Sequence, residues 1–383
     1  MTITYPEAIV VGLLQGVSEL FPVSSLGHSV LVPALIGGRW AKDLSVSAPE
    51  SPYLAFIVGL HVATALALVA YFWRDWLRIV RGFVTSIRNR RIDTSDERLA
   101  WMIVIATIPV GLAGLLLEHT FRTVLGRPVP AAVFLIANGA ILYGAERLRR
   151  RNDGERTSVA RRPILVSSDG RATLYSSRVA GRVEVVEPAA LRAIDATGAI
   201  DAAGTAATAG LMSVEPAVVD PVPVAPPAVD ARAPVIPEGV GHAGSDGSEP
   251  AESDARITRH RIGETTLIGS AQILALLPGI SRSGVTMAAG LLRGLSHEDA
   301  ARFSFLLATP VILAAGVLKL PDLTGPLGHG IGGQVLAGSV ASGLGAYAAV
   351  RWLTRYFQTR TLTPFAIYCA VAGVLSLAWL TLV

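Results

Sequence analysis

The sequence has little charge, few aromatic residues and almost no cysteine. Only 16% of its 383 residues are charged, 6% are aromatic, and Cys369 is the one cysteine. One cysteine excludes a disulfide framework and a thiolate metal cluster, and its apolar surroundings favour a packed core residue. The N-terminus has neither a basic stretch nor a small-residue cleavage site, so we expect no cleaved signal peptide.

What the sequence has in abundance is hydrophobic residues, at 51%, with a mean hydropathy of +0.50. These values are typical of integral membrane proteins. The pI of 9.4 is also common among nucleic-acid-binding proteins, but here the arginines cluster in short loops beside apolar segments. That is the charge pattern of membrane topology. We therefore predict a multi-pass protein of the bilayer with no nucleic-acid partner.

The apolar runs predict an all-α fold. A spanning helix needs about 20 apolar residues, and the candidates are 54–73, 99–117, 129–145, 303–318, 332–350 and 362–383. Two further apolar regions, 8–36 and 265–292, are interrupted by "PVSSLGH" and "PGISRSG". Each half of these regions is too short to span, and broken helices are tolerated only around a buried or watery cavity. We therefore predict two re-entrant helical hairpins whose tips meet.

Each predicted hairpin is followed by three spans, which divides the chain into two membrane repeats, 1–150 and 264–383. The basic loops at 74–98, 146–151, 256–261 and 351–360 belong in the cytoplasm by the positive-inside rule. The two repeats then have opposite orientations and both termini lie outside. An offset of 257 residues pairs Gln15 with Gln272, Ser24 with Ser281, Gly27 with Gly284 and Ser29 with Thr286. Inverted repeats of this kind place their site at the midplane, between the halves.

The segment 151–263 differs in composition from both repeats. It is rich in Ala, Pro and charged residues, and Tyr175 is its one aromatic residue. Such a composition is too poor in hydrophobic residues to form a core. We predict a disordered cytoplasmic linker, in which 171–187 is compatible with a short hairpin. A regulatory or protein-binding role for the linker is the alternative.

The first motif is "QGVSELFPVSSLGH", residues 15–28. Gln15 and Glu19 are four residues apart and share one helix face. A carboxylate in an apolar hairpin is costly without a cation or proton partner, and Mg²⁺ or Ca²⁺ prefers oxygen ligands such as these two side chains supply. The alternative is a protonated or hydrogen-bonded Glu19 that serves packing.

The second half of this motif combines a proline break with two serines, a glycine and a histidine. Ser25 and His28 are three residues apart and can meet in a tight turn. A serine beside a base is an activated nucleophile, and histidine is a natural proton carrier near neutral pH. The alternative is that Ser24 and Ser25 cap the following helix.

The second motif is "PGISRSGVT", residues 278–286, in which Gly279 and Gly284 bracket a turn that opens a helix. Backbone N–H groups at a helix N-terminus form an anion cradle. The hydroxyls near this cradle belong to Ser281, Ser283 and Thr286. Arg282 adds a fork suited to phosphate, and an arginine at membrane depth requires an anionic partner. The alternative is a purely structural salt bridge between Arg282 and Glu19. His61, in a predicted span, either faces the same cavity or is a hydrogen-bonded structural histidine.

Together the two motifs resemble the bacterial undecaprenyl-diphosphate phosphatase family, of the bacitracin-resistance type. The similarity covers 5–148 and 264–383 and includes "FSFLLATP" (303–310) and "TPFAIY" (363–368). The resemblance implies hydrolysis of the C55 lipid diphosphate, which recycles the carrier for peptidoglycan synthesis. It also implies a divalent cation (Mg²⁺ or Ca²⁺), the bacterial inner membrane as location and a site open to the outside.

The resemblance also implies which residues form the site. The matching positions are Gln15, Glu19, Ser25, His28, Ser281, Arg282, Ser283 and Thr286. We expect Glu19, Ser25, His28 and Arg282 to be catalytic, and Glu19 and Gln15 to hold the cation. Ser24, Gly279, Ser281, Ser283 and Thr286 are the expected substrate-binding residues. Two departures from the family pattern are Gln15, which stands where a second glutamate is usual, and the long linker.

Several alternatives stay open at this point. An inverted-repeat transporter or flippase would use the same anion site, and would need Arg282 but have no use for His28 as a proton carrier. A purely structural membrane scaffold would not explain why Arg282, Glu19 and His28 stand in apolar segments. The sequence does not distinguish attack by Ser25 from attack by water, and it leaves a homodimer open.

Overall fold

The computed structural model describes residues 3–44, 52–160, 164–168, 171–175, 248–325 and 330–382. The chain forms two compact units. One comprises Met1–Asp153 with Asp246–Val383, and the other comprises Gly154–Ser245. The described residues of the larger unit are helical wherever they are regular, which agrees with the all-α prediction.

The first half begins with a helix, a break and a second helix. Thr4 precedes the first helix in a capping box with Glu7, whose carboxylate accepts the Thr4 N–H at 2.8 Å. The helices of this half are α1 (Tyr5–Leu20), α2 (Ser25–Ile36), α3 (Gly38–Asp43), α4 (Pro52–Tyr71), α5 (Trp73–Asn89), α6 (Ser95–Leu125) and α7 (Pro128–Ala160). The break at 21–24 contains Pro22, which has no N–H for a helix hydrogen bond.

The second half has the same beginning, with a helix interrupted and then resumed. Its helices are α8 (Ser248–Ile257), α9 (Ile262–Ser270), a 3₁₀ helix (Ala271–Leu276), α10 (Arg282–Leu292), α11 (His297–Thr324), α12 (Gly332–Thr359) and α13 (Thr363–Leu382). The interruption at 277–281 contains Pro278 and Gly279, and Gly279 has a φ of 111°, which favours glycine.

Four described helices are long and apolar enough to cross a membrane, and a bent pair would make five. The four lie at Ser95–Leu117, Pro128–Asn152, His297–Lys319 and Thr363–Leu382. They coincide with the predicted spans 99–117, 129–145, 303–318 and 362–383. The predicted span 54–73 coincides with α4, whose described part Phe56–Tyr71 passes together with the next helix, which bends away by 86°.

Helix α12 contains the predicted span 332–350 but is not among the described helices that pass this test of length and hydropathy, so that span stays a prediction. Its glycines, alanines and serines serve packing. A Cβ on Gly12 of α1 would lie 2.3 Å from the carbonyl oxygen of Gly338, and one on Gly16 would lie 2.1 Å from that of Ser342. Small residues let two helix backbones approach closely. Helix α12 therefore packs tightly against α1.

A cluster of buried charges connects α8 to the other helices of the larger unit. Asp254 of α8 is 1% exposed and accepts hydrogen bonds from Arg302 of α11 at 2.8 and 3.0 Å and from Arg78 of α5 at 2.8 Å. Arg302 also pairs with Asp75 at 3.1 Å. Breaking a buried pair by removing one partner typically costs about 3–5 kcal/mol. The pairs link α8 to α5 and α11, and loss of either partner would leave a buried charge without its counter-ion.

Parts of the predicted linker 151–263 form regular elements among the residues that the structure describes. Helix α7 continues to Ala160, strands Ile164–Ser168 and Arg171–Tyr175 pair antiparallel, and α8 is docked through Asp254. Composition could not reveal this, because α8 is positioned by specific contacts, namely the ion pairs of Asp254 and the burial of Ile257. The rest of the predicted linker, 161–163, 169–170 and 176–247, lies outside the described residues.

Candidate functional site

The two breaks meet, as predicted for the hairpin tips. Gly27, near the start of α2, lies against Gly279, and a Cβ on Gly27 would be 2.9 Å from the Gly279 Cα. Asn138 of α7 bridges the breaks. Its amide nitrogen donates to the Pro22 carbonyl at 3.1 Å, and its amide oxygen accepts the Ser281 N–H at 3.0 Å. Asn138 is fully buried, so these bonds hold both breaks in one fixed geometry.

Helix α2 begins at a strained residue. Ser24 has a φ of 72°, in the left-handed region that a residue other than glycine rarely adopts. Its hydroxyl accepts the Gly27 N–H at 3.1 Å, so Ser24 caps the helix, which was the alternative to its substrate role. Strain of this kind tends to occur at functional sites because the surrounding structure must maintain it.

Glu19, in the last turn of α1, is the centre of the site. Its carboxylate accepts hydrogen bonds from Arg282 and from the Ser25 hydroxyl. The Gln15 amide donates to it at 3.0 Å, and Nε2 of His61 lies 3.4 Å from it. The carboxylate is only 5% exposed. A buried carboxylate with a guanidinium, a hydroxyl and an imidazole around it forms a compact polar centre in an apolar protein.

Arg282 uses only part of its guanidinium on Glu19. Nη2 contacts the carboxylate, whereas Nη1 is buried and has no hydrogen-bond partner among the described residues. The salt bridge between Arg282 and Glu19 is therefore present, but it uses only one of the two terminal nitrogens of the guanidinium. A buried donor without an acceptor costs about 1–3 kcal/mol or more when it is charged. The site is thus built to receive a further acceptor.

The start of α10 places the predicted hydroxyls around Arg282 but uses some of them internally. Ser281 caps the helix by accepting the Gly284 N–H at 3.1 Å, and its hydroxyl lies 3.0 Å from that of Ser283. Thr286 donates to the Arg282 carbonyl at 2.7 Å. The backbone N–H groups and the two serines remain at the N-terminal end, where a helix favours anions.

His28 does not pair with Ser25, and the predicted pairing of these two side chains is corrected. Ser25 donates to Glu19 instead. His28 Nδ1 lies 2.7 Å from the Ser24 carbonyl oxygen, and Nε2 lies 2.8 Å from the Tyr368 hydroxyl. The carbonyl can only accept, so Nδ1 carries the proton, and Nε2 of the neutral ring accepts from Tyr368.

Sequence reasoning overlooked Tyr368 and Asn138 and left His61 undecided. All three come from helices outside the two motifs. A polar residue within an apolar helix was the one available signal, because such residues face a protein interior or cavity. That signal was noted for His61, but no pattern in the sequence linked Tyr368 to His28.

The oxygen ligands present here can hold a divalent cation only if water or substrate supplies its remaining ligands. Among the described residues, no group of three or more His, Cys, Asp or Glu side chains is arranged to hold a metal ion. The amide oxygen of Gln15 is nevertheless buried and unpaired beside Glu19. One carboxylate and one amide oxygen suit Mg²⁺, which commonly keeps several waters and takes its other ligands from substrate phosphates.

The fold and site define a polytopic helical membrane protein with a buried Glu19–Arg282 centre between two broken helices. The family model described as "Bacitracin resistance protein BacA" matches residues 8–167 and 241–375. The chain therefore belongs to the bacitracin resistance protein family.

Curated relatives match nearly the whole chain. The chain is 56% identical over 380 residues to "Undecaprenyl-diphosphatase" of Mycolicibacterium paratuberculosis (strain ATCC BAA-968 / K-10), covering 99% of this chain and 98% of the relative. It is 54% identical over 373 residues to "Undecaprenyl-diphosphatase 1" of Frankia casuarinae, covering 97% of each chain. It is 33% identical over 384 residues to "Undecaprenyl-diphosphatase" of Granulibacter bethesdensis, covering 98% of this chain and 96% of the relative.

Proposed function

We propose that the protein hydrolyses undecaprenyl diphosphate to undecaprenyl phosphate and inorganic phosphate. The chain is a membrane hydrolase, and the reaction returns the lipid carrier to cell-wall synthesis. The names of its relatives support this activity over the entire length of the chain. The transporter or flippase alternative is not favoured, because none of these relatives is named as a transporter.

The unpaired Nη1 of Arg282 is the observation that carries the proposed site. A phosphate oxygen accepts from this nitrogen while Nη2 stays on Glu19. The N–H groups at the start of α10, with Ser281 and Ser283, bind the same phosphate. A donor fixed in a water-poor site stabilises the charge that develops on the transferred phosphoryl group.

We assign the nucleophile to Ser25. Its hydroxyl donates to Glu19, so the carboxylate can take the proton as Ser25 Oγ bonds to the terminal phosphorus. The bond to the bridging oxygen breaks, and undecaprenyl phosphate leaves. Water then attacks the phosphoserine and gives a proton to His28 Nε2. The bond from phosphorus to Ser25 Oγ breaks, Ser25 takes back its proton from Glu19, and inorganic phosphate leaves. If water attacks directly, no phosphoserine forms, and trapping with radiolabelled substrate after acid quenching decides between the two routes.

The cation-binding residues in this proposal are Glu19 and Gln15. A bound Mg²⁺ or Ca²⁺ would neutralise charge on the diphosphate. Gln15 offers its unpaired amide oxygen, and Glu19 offers the carboxylate. The protein residues position the terminal phosphate at Ser25 between Arg282 and Glu19.

The proposal also includes how the chain is arranged in the membrane. The two breaks belong to re-entrant hairpins in inverted repeats, and the site opens to the outer face of the bacterial inner membrane. This arrangement is supported by the basic loops, which it places together on the cytoplasmic side of the membrane. Single cysteines at positions 90 and 360, in a Cys369→Ser background, are expected to resist an impermeant maleimide added to intact spheroplasts. The homodimer stays a prediction, and the mass of the purified particle tests it.

The decisive experiment measures phosphate release from undecaprenyl diphosphate by the detergent-purified protein. We expect release that a chelator abolishes and that Arg282→Ala and His28→Ala reduce strongly. A protein that folds but releases no phosphate under several cations would contradict the proposed function. Thermal unfolding of each variant in the same detergent separates loss of activity from loss of the fold.

A further inference from the structure

A groove of about 340 Å³ runs between α2 and α13, and His28 and Tyr368 lie at one end of it. Its walls are formed on α2 by Leu31, Val32 and Leu35, and on α13 by Ala372, Leu375 and Trp379. None of these six residues belongs to either motif of the site. The groove is therefore a separate feature that begins where the polar centre ends.

Helical periodicity makes the groove a continuation of the site. Leu31, Val32 and Leu35 follow His28 by three, four and seven residues, so all four share one face of α2. On α13, residues 372, 375 and 379 follow Tyr368 by four, seven and eleven residues. At a rise of 1.5 Å per residue, the α13 wall is about 16 Å long.

Polarity is concentrated at the end of the groove nearest the site. The hydrogen bond between His28 and Tyr368 lies there, and Ser25 is one helical turn before His28. Beyond this end the lining is apolar except for Ser376, which is 7% exposed. Such a gradient matches an amphiphile with an anionic head and a long hydrocarbon chain.

We propose that this groove binds the first isoprene units of the polyprenyl chain while the diphosphate lies at Arg282 and Ser25. The inference rests on the proposed function and names the part of the protein that recognises the lipid. The chain passes between α2 and α13 on its way from the site to the bilayer. Because the chain leaves lipid rather than water, its contacts with the apolar walls contribute through van der Waals packing.

Photocrosslinking tests this placement directly. We replace Leu375, which is 65% exposed and lines the groove, with p-benzoylphenylalanine. The matched control is Val371, which is 52% exposed on the same helix and does not line the groove. The probe is radiolabelled undecaprenyl diphosphate in detergent micelles, with unlabelled probe or phosphatidylglycerol as competitor.

We expect label at position 375 that unlabelled probe displaces and phosphatidylglycerol does not, with little label at 371. Equal labelling at the two positions would overturn the proposal. Displacement of the label at 375 by phosphatidylglycerol would also overturn it, because the groove would then bind membrane lipid in general.

A groove-filling variant gives an independent test. Ala372→Trp is expected to raise KM for undecaprenyl diphosphate roughly tenfold or more, equivalent to about 1.4 kcal/mol, with kcat unchanged. Val371→Trp is expected to keep the wild-type KM. A wild-type protein that releases no phosphate would refute the proposed function. An active wild type with an unchanged KM in a folded Ala372→Trp variant would refute the groove alone.

Discussion

The Tyr368 hydroxyl lies 2.8 Å from His28 Nε2, and the two rings stack with their centroids 5.8 Å apart. With Nδ1 on the Ser24 carbonyl, both ring nitrogens are held by fixed partners. The imidazole of His28 is therefore locked in one orientation and one neutral tautomer. This makes Tyr368 a positioning residue for the proton carrier of the proposed reaction.

Replacing Tyr368 with phenylalanine removes this hydroxyl and keeps the stacked ring. We expect kcat to fall about 2- to 12-fold, the equivalent of one hydrogen bond of about 0.5–1.5 kcal/mol. KM is expected to stay nearly constant, because the apolar ring still lines the groove. Phosphate-release kinetics measure both values. Tyr143→Phe, on an exposed tyrosine of α7, is the matched control. A fall in KM and kcat together, or no change in either, would contradict the positioning role.

Replacing Arg282 with lysine distinguishes a phosphate-binding arginine from a structural one. Lysine can keep the ion pair with Glu19 but has no second arm in place of Nη1. We expect kcat/KM to fall by about 10²- to 10³-fold, as for loss of one fixed donor, with the unfolding temperature almost unchanged. Arg293→Lys, at the exposed end of α10, should retain activity. Wild-type kinetics in Arg282→Lys would contradict phosphate binding by Arg282 and leave it only the salt bridge with Glu19.

Replacing Gln15 with glutamate restores a second carboxylate beside Glu19. If the proposed cation binds here, the added charge strengthens its binding, because Mg²⁺ and Ca²⁺ prefer carboxylate oxygens. We expect phosphate release to reach half its maximum at a lower Mg²⁺ concentration. Gln358→Glu, at an exposed position of α12, controls for the added charge. An unchanged Mg²⁺ dependence in Gln15→Glu would contradict cation binding at Gln15 and Glu19.

Replacing Asn138 tests whether one amide holds both breaks. Asn138→Leu leaves the Pro22 carbonyl and the Ser281 N–H buried without this partner, at about 1–3 kcal/mol for each group. We expect a lower unfolding temperature and a larger loss of phosphate release. Asn138→Asp keeps an acceptor for Ser281 and should lie between Leu and wild type. Cys369→Ala, which removes one weak partner of Asn138, should change little. A stable, active Asn138→Leu variant would show that the breaks hold their geometry without the amide.

The sequence predicted the meeting of the two breaks because each polar interruption stood out against apolar flanks. It placed Glu19 and Arg282 in one centre for the same reason, since an arginine at membrane depth needs a partner. It could not identify Tyr368 or Asn138, because each is a single polar residue far along the chain from its partners. The position of α8 could not be predicted either, because composition does not show which charged residues pair with Asp254. The sequence also could not show that the small residues of α12 pack this helix closely against α1.

The ion pair of Glu19 and Arg282 also constrains how the protein is made. The two residues are 263 positions apart. At about 5–20 residues per second, the ribosome produces Arg282 roughly 13–50 s after Glu19. During that interval the carboxylate must enter the bilayer without its arginine. His61, Gln15 and Ser25 all belong to the first half of the chain and lie at the Glu19 carboxylate, so this half carries polar partners for Glu19 before Arg282 is made.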